Sequence, residues 1–206
     1  GDEELRAYVN LFQALTKVGR GSEVRSDADM LVQLSERTKN IRLKADALRT
    51  VATLMRRSYD EKRTEELLNR AMELYSEAGD LKGYAAALYG VGTVKYNVGE
   101  YSESLELSLK AAEIQEQIGD VAGMAASYNG IGAIWKSFNN KEKSLEYHFK
   151  SLKLRQELGD SHGEALSLDN IGNTYSNAGE HRLALDYHLR SLEVAERIQN
   201  PLRVSS

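Results

Sequence analysis

The chain has 206 residues, of which 41% are hydrophobic and 28% charged, with a single proline and no cysteine. This apolar content is enough to form a folded core, and the lack of cysteine excludes disulfide scaffolds, thiolate metal sites and cysteine-dependent enzymes. The formal net charge of -4 disfavours nucleic acid as a partner, and no uncharged stretch approaches the roughly 20 residues of a membrane-spanning helix.

The chain repeats itself with a period of forty residues. A Gly-Asp pair recurs at residues 79–80, 119–120 and 159–160, and Asn40 and Asn200 stand in the same register. Asp and Asn accept hydrogen bonds from the free amides at a helix start, and Gly readily adopts the left-handed conformation that ends the preceding helix. The register predicts units at residues 1–40, 41–80, 81–120, 121–160 and 161–200, with a further helix starting in residues 201–206.

Each unit is predicted to contain two helices, because a second break falls near its middle, for example at residues 99–100 and 179–180. In the first helix, small and apolar residues recur every three or four positions, and this spacing makes one helical face. An example of this face is Leu48, Val51, Ala52 and Met55. In the second helix a leucine-rich face is predicted to be buried, consisting of Leu105, Leu109 and Ala112, then Leu145, Phe149 and Leu152, then Leu185, Leu189 and Leu192. The sequence therefore predicts ten helices in antiparallel pairs and no strand.

Glycine interrupts three of the predicted first helices, at Gly92, Gly132 and Gly172. A glycine inside a helix costs about 1 kcal/mol relative to alanine, so close helix packing is the expected compensation. Each glycine stands twelve residues before a small residue, which is predicted to face it: Ser104, Ser144 and Ala184. Phe12 and Val24 occupy the same positions in residues 1–40, which are therefore predicted to form a divergent unit.

These patterns resemble the tetratricopeptide repeat family, in its forty-residue variant of Pins-type scaffolds, kinesin light chains and bacterial signalling regulators. The string at residues 170–175, with Gly172 and Tyr175, is especially similar, whereas Met55 and Lys95 stand where the family has an aromatic residue. The family's small residues fall on Ala52, Gly92, Gly132 and Gly172 in the first helices and on Ala71, Ala111, Ser151 and Ser191 in the second. The resemblance implies an all-α fold, a right-handed superhelical solenoid of about five helix-turn-helix repeats that forms one domain over residues 1–206.

Catalytic motifs are absent from the sequence. It has no G-x-S-x-G elbow, no H-E-x-x-H and no Walker loop. His148 and His188 occupy equivalent positions, and His181 precedes His188 by two helical turns, about 10 Å, which is too far for one metal ion to bind both. The histidines are therefore interpreted as structural or surface residues, and the chain is predicted to be a non-enzyme without cofactor or metal.

A second stripe of residues lies on the first helices, away from their apolar face, at Asp46, Arg49, Thr53 and Arg56 and their equivalents. In proteins that this chain resembles, the stripe lines the inside of the superhelix and holds an extended peptide or a partner's helix. Arginine suits carboxylates, tyrosine offers rigid apolar contact, and asparagine suits a peptide backbone. The candidate partner-binding groove consists of Arg49, Arg56, Arg57, Tyr89, Tyr96, Asn129, Lys136, Asp169, Asn170 and Asn173.

The main hypothesis is a non-catalytic protein- or peptide-binding module that regulates a larger cytoplasmic, bacterial signalling protein. The alternative is the repeat domain of a peptide-pheromone receptor in a quorum-sensing transcriptional regulator, whose repeats also use asparagine on the peptide backbone. Such receptors usually carry an N-terminal DNA-binding domain or helical bundle, whereas residues 1–40 are predicted to be one more repeat. Neither hypothesis involves nucleic acid binding or membrane insertion by this segment.

The C-terminal end of the sequence predicts an incomplete repeat. Asn200 and Pro201 are a typical N-cap and first helical residue, and the sequence stops at Ser206. A further repeat or an effector domain is therefore expected beyond it. The open edge, which includes the leucine face of the last helix, is predicted to favour self-association.

Overall fold

The computed structural model describes residues 1–55 and 60–199, and all the regular structure in these ranges is helical. Ten α-helices are present there, which confirms the predicted all-α class. They are α1 Asp2–Lys17, α2 Ala28–Ser35, α3 Ile41–Met55, α4 Glu61–Glu77, α5 Leu81–Asn97, α6 Tyr101–Gln117, α7 Val121–Ser137, α8 Lys141–Glu157, α9 Ser161–Asn177 and α10 His181–Gln199. A short 3-10 helix, Gly21–Asp27, lies between α1 and α2.

Helix boundaries follow the local capping signals. The carboxylates of Asp80 and Asp160 accept hydrogen bonds from backbone amides at 2.9 and 3.0 Å, and the amide oxygen of Asn140 does so at 3.0 Å. Just before these caps the backbone takes positive φ at Gly79, Gly159 and Asn139. The predicted N-caps are therefore confirmed at Asn40, Asp80 and Asp160, while the predicted cap Asn200 lies outside the described residues. The left-handed glycines are confirmed at Gly79, Gly119 and Gly159, and Asn139 takes the place of glycine before Asn140.

The chain divides into two compact units, the first being Gly1–Lys110 and the second beginning at Ala111. The first unit has a core that includes Leu5, Phe12 and Leu48. The second has a smaller cluster formed by Leu152, Leu168, Ile171 and Val194. Phe12 and Val24 are both buried in the core of the first unit, although they break the pattern of small residues. A 3-10 helix and the eight-residue α2 take the place of a long second helix in residues 1–40.

The prediction of a buried leucine face on the second helices is confirmed at Ala112 and Leu152, which are 5% and 6% exposed, and is wrong at Leu109 and Phe149, which are 40% and 38% exposed. On α10, Leu185, Leu189 and Leu192 are 50–60% exposed. The most buried face is centred one residue earlier and carries small or polar groups, namely Ser104, Ser108, Ser144, His148 and Ser151. Serine fits there because its hydroxyl donates to a helix carbonyl as the backbones approach. Ser104 Oγ lies 2.7 Å from the carbonyl oxygen of Gly92, and Ser151 Oγ lies 2.8 Å from that of Ala125.

Close packing at the mid-helix glycines is confirmed, but the nearest side chain lies four residues beyond the predicted one in each case, and at Gly92 it is Ser108 at 3.0 Å. A methyl group added at Gly132 would lie 2.7 Å from the imidazole of His148, four residues beyond the predicted Ser144. At Gly172 it would lie 2.8 Å from His188. These contacts are shorter than carbon atoms tolerate, so glycine is required opposite a histidine ring.

A second set of glycines lies near the start of the first helices, beneath a long side chain from the preceding helix. A Cβ atom at Gly83 would overlap the ring of Tyr75, and one at Gly163 would overlap the guanidinium of Arg155. At Gly123 the nearest atoms of the Gln115 amide are at 2.9 Å. Tyr75, Gln115 and Arg155 are forty residues apart, so this contact is part of the repeat.

Lys95 occupies the position where the family has an aromatic residue. Its side chain is only 15% exposed, and its Nζ lies 3.0 Å from Glu65, 3.1 Å from Glu100 and 3.6 Å from Glu103. Hydrogen bonds to Glu65 and Glu100 raise the pKa of Lys95. An ionic cluster joining α4, α5 and α6 therefore replaces aromatic packing at this position.

Candidate functional site

The candidate groove residues are distributed over both compact units. Arg49, Tyr89 and Tyr96 lie in the first unit, whereas Asn129, Lys136, Asp169, Asn170 and Asn173 lie in the second. All eight are half-buried, so each is accessible on one side. Arg56 and Arg57 lie outside the described residues.

A cavity of about 370 Å³ lies between α1 and α3 in the first unit. Its charged lining consists of Arg6, Arg42, Asp46 and Arg49. This volume is within the range of pockets that hold small ligands or single side chains. Arg49 is the one predicted groove residue that the cavity includes.

Tyr75, on α4, holds two of these charged residues, Asp46 and Arg49, through hydrogen bonds to its hydroxyl. Its hydroxyl donates to Asp46 Oδ1 at 2.6 Å and accepts from Arg49 Nε at 3.0 Å. Burial raises the pKa of Tyr75, with Asp46 acting in the same direction and Arg49 opposing it. The phenol therefore stays protonated, and Asp46 and Arg49 are held in fixed positions at the cavity wall.

The remaining arginines of the cavity differ in how they are paired. Arg42 Nε lies 2.8 Å from Asp80 Oδ2, and this ion pair links the starts of α3 and α5. Arg6 is exposed on α1 and forms no ion pair with the described residues. Arg49 is balanced by Asp46 and Arg42 by Asp80, so Arg6 supplies the excess positive charge of the cavity.

Amide side chains complete the polar lining. Gln13 donates from Nε2 to Thr50 Oγ1 at 3.0 Å, and Asn40 Oδ1 accepts from the backbone amide of Leu43 at 3.0 Å, so both are held by the protein. Asn10 is exposed one turn after Arg6 and makes no side-chain hydrogen bond with the described residues. It is therefore the amide best placed to bind a ligand.

Sequence reasoning missed most of this cavity, although the signal was present. Moving the predicted stripe back by forty residues takes Asp46 to Arg6 and Thr53 to Gln13, and both of these residues line the cavity. Because Phe12 and Val24 break the pattern of small residues, residues 1–40 were predicted to be divergent, and no groove residue was predicted there. The stripe and the packing face vary independently, so a divergent core did not imply a divergent surface.

Amide groups meet in the second unit. Asn170 on α9 donates from Nδ2 to Asn129 Oδ1 on α7 at 2.9 Å. Asn173 donates from Nδ2 to Asp169 Oδ2 at 3.0 Å, and Asp169 Oδ1 lies 2.9 Å from His188 Nδ1. Both carboxylate oxygens of Asp169 are thus engaged by protein groups, and this residue orients its neighbours.

Lys136 lies apart from the amide pair. It lines a smaller cavity of about 100 Å³ together with Asn139, Lys141, Thr174 and Asn177. Lys141 Nζ in turn lies 2.8 Å from Glu180. In the first unit, the ring of Tyr96 packs on that of Tyr101 with centroids 5.3 Å apart, and Tyr89 lies half-buried on α5.

No group of three or more histidine, aspartate or glutamate side chains in the described ranges is arranged to hold a metal ion. Of the helices that the structure describes, none has both the length and the apolar character needed to cross a bilayer.

Comparison with known proteins identifies the repeat. A model of the tetratricopeptide repeat family matches residues 138–197, while no curated protein matches the chain. The chain is similar to a Rap protein complexed with competence and sporulation factor, with a TM-score of 0.87 and 14% identity over 96% of this chain and 56% of that one.

Two other solved structures share the fold. BtubC (BKLC) from P. vanneervenii has a TM-score of 0.69 and 18% identity over 99% of this chain and 85% of that one. A signal transduction ATPase (STAND) protein with a tetratricopeptide repeat sensor, from Pyrococcus horikoshii, has a TM-score of 0.77 and 19% identity over 98% of this chain and 31% of that one. Such identities show a common fold, and the family match identifies residues 138–197 as tetratricopeptide repeat.

Proposed function

We propose that the chain is a non-catalytic module that binds a protein segment or peptide, and that it is the sensor or regulatory part of a larger bacterial signalling protein in the cytoplasm. The observation that carries this proposal is the amide cluster of the second unit. There Asn129 and Asn170 join α7 and α9 through a 2.9 Å hydrogen bond while both side chains remain half-exposed.

Such a cluster suits an extended peptide. The Asn129–Asn170 bond uses one donor and one acceptor, which leaves a carbonyl oxygen on Asn170 and an NH₂ group on Asn129 for the amide and carbonyl of a peptide unit. Asn173 is fixed by Asp169 and keeps its own carbonyl oxygen as a further acceptor. Because these groups are held before binding, little side-chain entropy is lost on complex formation.

We expect the affinity of the chain for a peptide to depend on the side-chain amides of Asn129 and Asn173. A peptide selected from a random display library against the whole chain should lose affinity about tenfold on Asn129→Ala and on Asn173→Ala, because each change removes hydrogen bonds to its backbone. The dissociation constants are measured by calorimetry. Asn69→Ala is the matched control, since Asn69 is exposed on α4 in the first unit. If the selected peptides bind both amide variants as tightly as the native chain, they bind at another site.

The second candidate is a receptor for a free signalling peptide in a quorum-sensing regulator. The similarity to the Rap protein complexed with competence and sporulation factor favours it, since that structure shares this fold over 96% of the chain. The candidates differ in the ligand, which is a free short peptide in one case and a segment of a folded partner in the other. A selected peptide that binds when free, but not when embedded in a folded carrier, would favour the receptor.

We also expect two copies of the chain to associate through the exposed face of α10. Leu192 is 54% exposed, whereas Ala112 and Leu152, its equivalents on α6 and α8, are 5% and 6% exposed. Apolar surface that the other repeats bury is therefore open here. Light scattering over a concentration series should show mass increasing for the native chain and less so for Leu192→Glu. Lys153→Glu, on the exposed side of α8, serves as the control, and a native chain that stays monomeric at high concentration would contradict the expectation.

A further inference from the structure

We infer that copies of the chain associate head to tail, with α1 of one copy packing against α10 of the next. This inference rests on the self-association proposed above, which involves α10, and it assigns the surface that α10 contacts. That surface, the α1 edge, consists of Ala7, Leu11 and Ala14. The matching surface on the other copy, the α10 edge, includes Leu185 and Leu192.

The α1 edge stands at a register that every later first helix buries. Leu11 is 48% exposed. The residues at its register in α3, α5, α7 and α9 are 0–5% exposed, namely Val51, Val91, Ile131 and Ile171. Ala7 and Ala14 are exposed as well, although the residues at their registers in the same four helices are at most 4% exposed. Helix α1 therefore presents to solvent a face that the other first helices use for packing.

The junction between α8 and α9 shows what covers this register. Ile171, the equivalent of Leu11, belongs to the same buried cluster as Leu152 on α8. The hydroxyl oxygens of Ser167 and Thr174, at the registers of the two alanines, lie 3.2 and 3.0 Å from serine hydroxyls of α8. A first helix thus places this face antiparallel against the second helix of the preceding repeat.

The α10 edge is the other half of the same type of junction. Leu192 is 54% exposed, whereas Leu152, forty residues earlier, is 6% exposed. Leu185 is 60% exposed, whereas its equivalent Leu145 is partly buried against the cluster between α8 and α9. The chain forms this junction within itself and leaves one half of it open on α1 and the other half on α10. A second copy supplies the half that each helix lacks.

The side chains that would meet in this contact are compatible in size. In the internal junctions a residue of the second helix covers a glycine of the following first helix, as Tyr75 covers Gly83. In the contact between copies these two positions hold Ala195 and Glu3. The small residue is then on α10 and the long one on α1, so the two side chains do not compete for the same space.

One pair of like charges weakens the contact. At the junction of α8 and α9, Gln156 Nε2 donates to Glu164 Oε1 at 2.9 Å. The same two registers hold Glu196 on α10 and Glu4 on α1, and two carboxylates there repel each other. Glu196→Gln restores the amide of the internal junction and should tighten the association about threefold. An unchanged dissociation constant would contradict this antiparallel register.

Sedimentation of the whole chain over a concentration series measures the association. The native chain should grow beyond a dimer, because a contact between two different surfaces does not close on itself after one step. Leu11→Glu and Leu192→Glu should each raise the dissociation constant at least about tenfold, since each places a charge in an apolar contact. Leu166→Glu is the matched control, because Leu166 on α9 is also 48% exposed and lies at neither edge. Melting temperatures verify that the variants remain folded.

A mixture of the two edge variants provides the most specific test. Leu11→Glu retains an intact α10 edge, and Leu192→Glu retains an intact α1 edge. In a head-to-tail contact the mixture should therefore form dimers with one copy of each variant and nothing larger. Labelling one variant with a fluorophore identifies the mixed dimer by its absorbance during sedimentation.

The outcomes separate the head-to-tail arrangement from the self-association on which it rests. If Leu11→Glu associates like the native chain, or if the mixture stays monomeric while the native chain associates, the contact between the two edges is refuted and the association through α10 stands alone. If the native chain stays monomeric at high concentration, both fail. The dependence of peptide affinity on Asn129 and Asn173 is tested separately and is independent of these results.

Discussion

Replacing Gly132 by leucine is expected to lower the free energy of unfolding by about 3 kcal/mol, the upper end of the usual cost of overpacking. The Cβ atom alone would lie 2.7 Å from two atoms of the His148 ring. The ring is fully buried on α8, so it has no space into which to move. The helices α7 and α8 must separate to admit the larger side chain, and chemical denaturation measures the loss.

A double variant provides the control. The neighbouring repeat has Gly92 opposite Ser108, a much smaller partner, at the register of Gly132 and His148. Gly132→Ala should therefore be destabilising in the native background and nearly neutral when combined with His148→Ser. Equal effects of Gly132→Ala in the two backgrounds would show that the glycine does not serve to accommodate the imidazole.

The second large effect concerns acidic pH. We expect the free energy of unfolding to fall as the pH is lowered, and we expect His148→Leu to remove most of this dependence. His148 is fully buried, and neither ring nitrogen has a hydrogen-bond partner among the described residues. Burial lowers the pKa of His148 to about 3 from its ordinary 6.5, and the charge of Lys136 acts in the same direction. Leucine is a suitable replacement because Leu68 occupies the same register two repeats earlier and is also buried.

The sign of the effect follows from which state binds the proton. Below pH 6.5 the unfolded chain protonates His148, and the folded chain does so only near pH 3. Between pH 6.5 and pH 3 the unfolded state therefore binds more protons than the folded state. The free energy of unfolding that the neutral imidazole contributes is fully present above pH 6.5 and decreases as the pH falls towards 3. At pH 5 the loss is about 2 kcal/mol relative to pH 7.

Denaturation midpoints at pH 5 and pH 7 provide the measurement. His148→Leu should reduce the difference between the two pH values by about 2 kcal/mol. His162→Leu is the matched control, because His162 is exposed at the start of α9 and should leave the native pH dependence unchanged. A pH dependence that persists in His148→Leu would mean that other groups cause it.

Helix positions were predictable because their signals are local. Asp80, Asn140 and Asp160 cap helices through amides three residues away, so the sequence alone contains both partners. The buried face of the second helices was not predictable in the same way. Hydrophobicity pointed to Leu105 and Leu109, but helix backbones approach most closely over serine, and that distance depends on the partner helix.

Residues in the same register can also differ in environment, as the two histidines show. His148 is fully buried without a hydrogen bond, whereas the side chain of His188 is 36% exposed and contacts Asp169. The sequence places both after a tyrosine and does not distinguish them. The arginine cavity had a sequence signal in the stripe, but the positions of Asp46 and Arg49 in its wall depend on Tyr75, which contacts both from α4.

The long side chains that cover Gly83, Gly123 and Gly163 restrict how this array can grow by gene duplication. A second copy of residues 81–120 placed after the first would set Gln115 over another Gly83, where no Cβ atom interferes. A second copy of residues 41–80 would instead set Tyr75 against Leu43, the residue at the glycine position in that block. Ser35 precedes Leu43 at the position of Tyr75 in the native order, so the bulky and small members of each pair alternate across the junction. Repeats of this protein are therefore not freely interchangeable, and the order of blocks is encoded in pairs of residues eight positions apart.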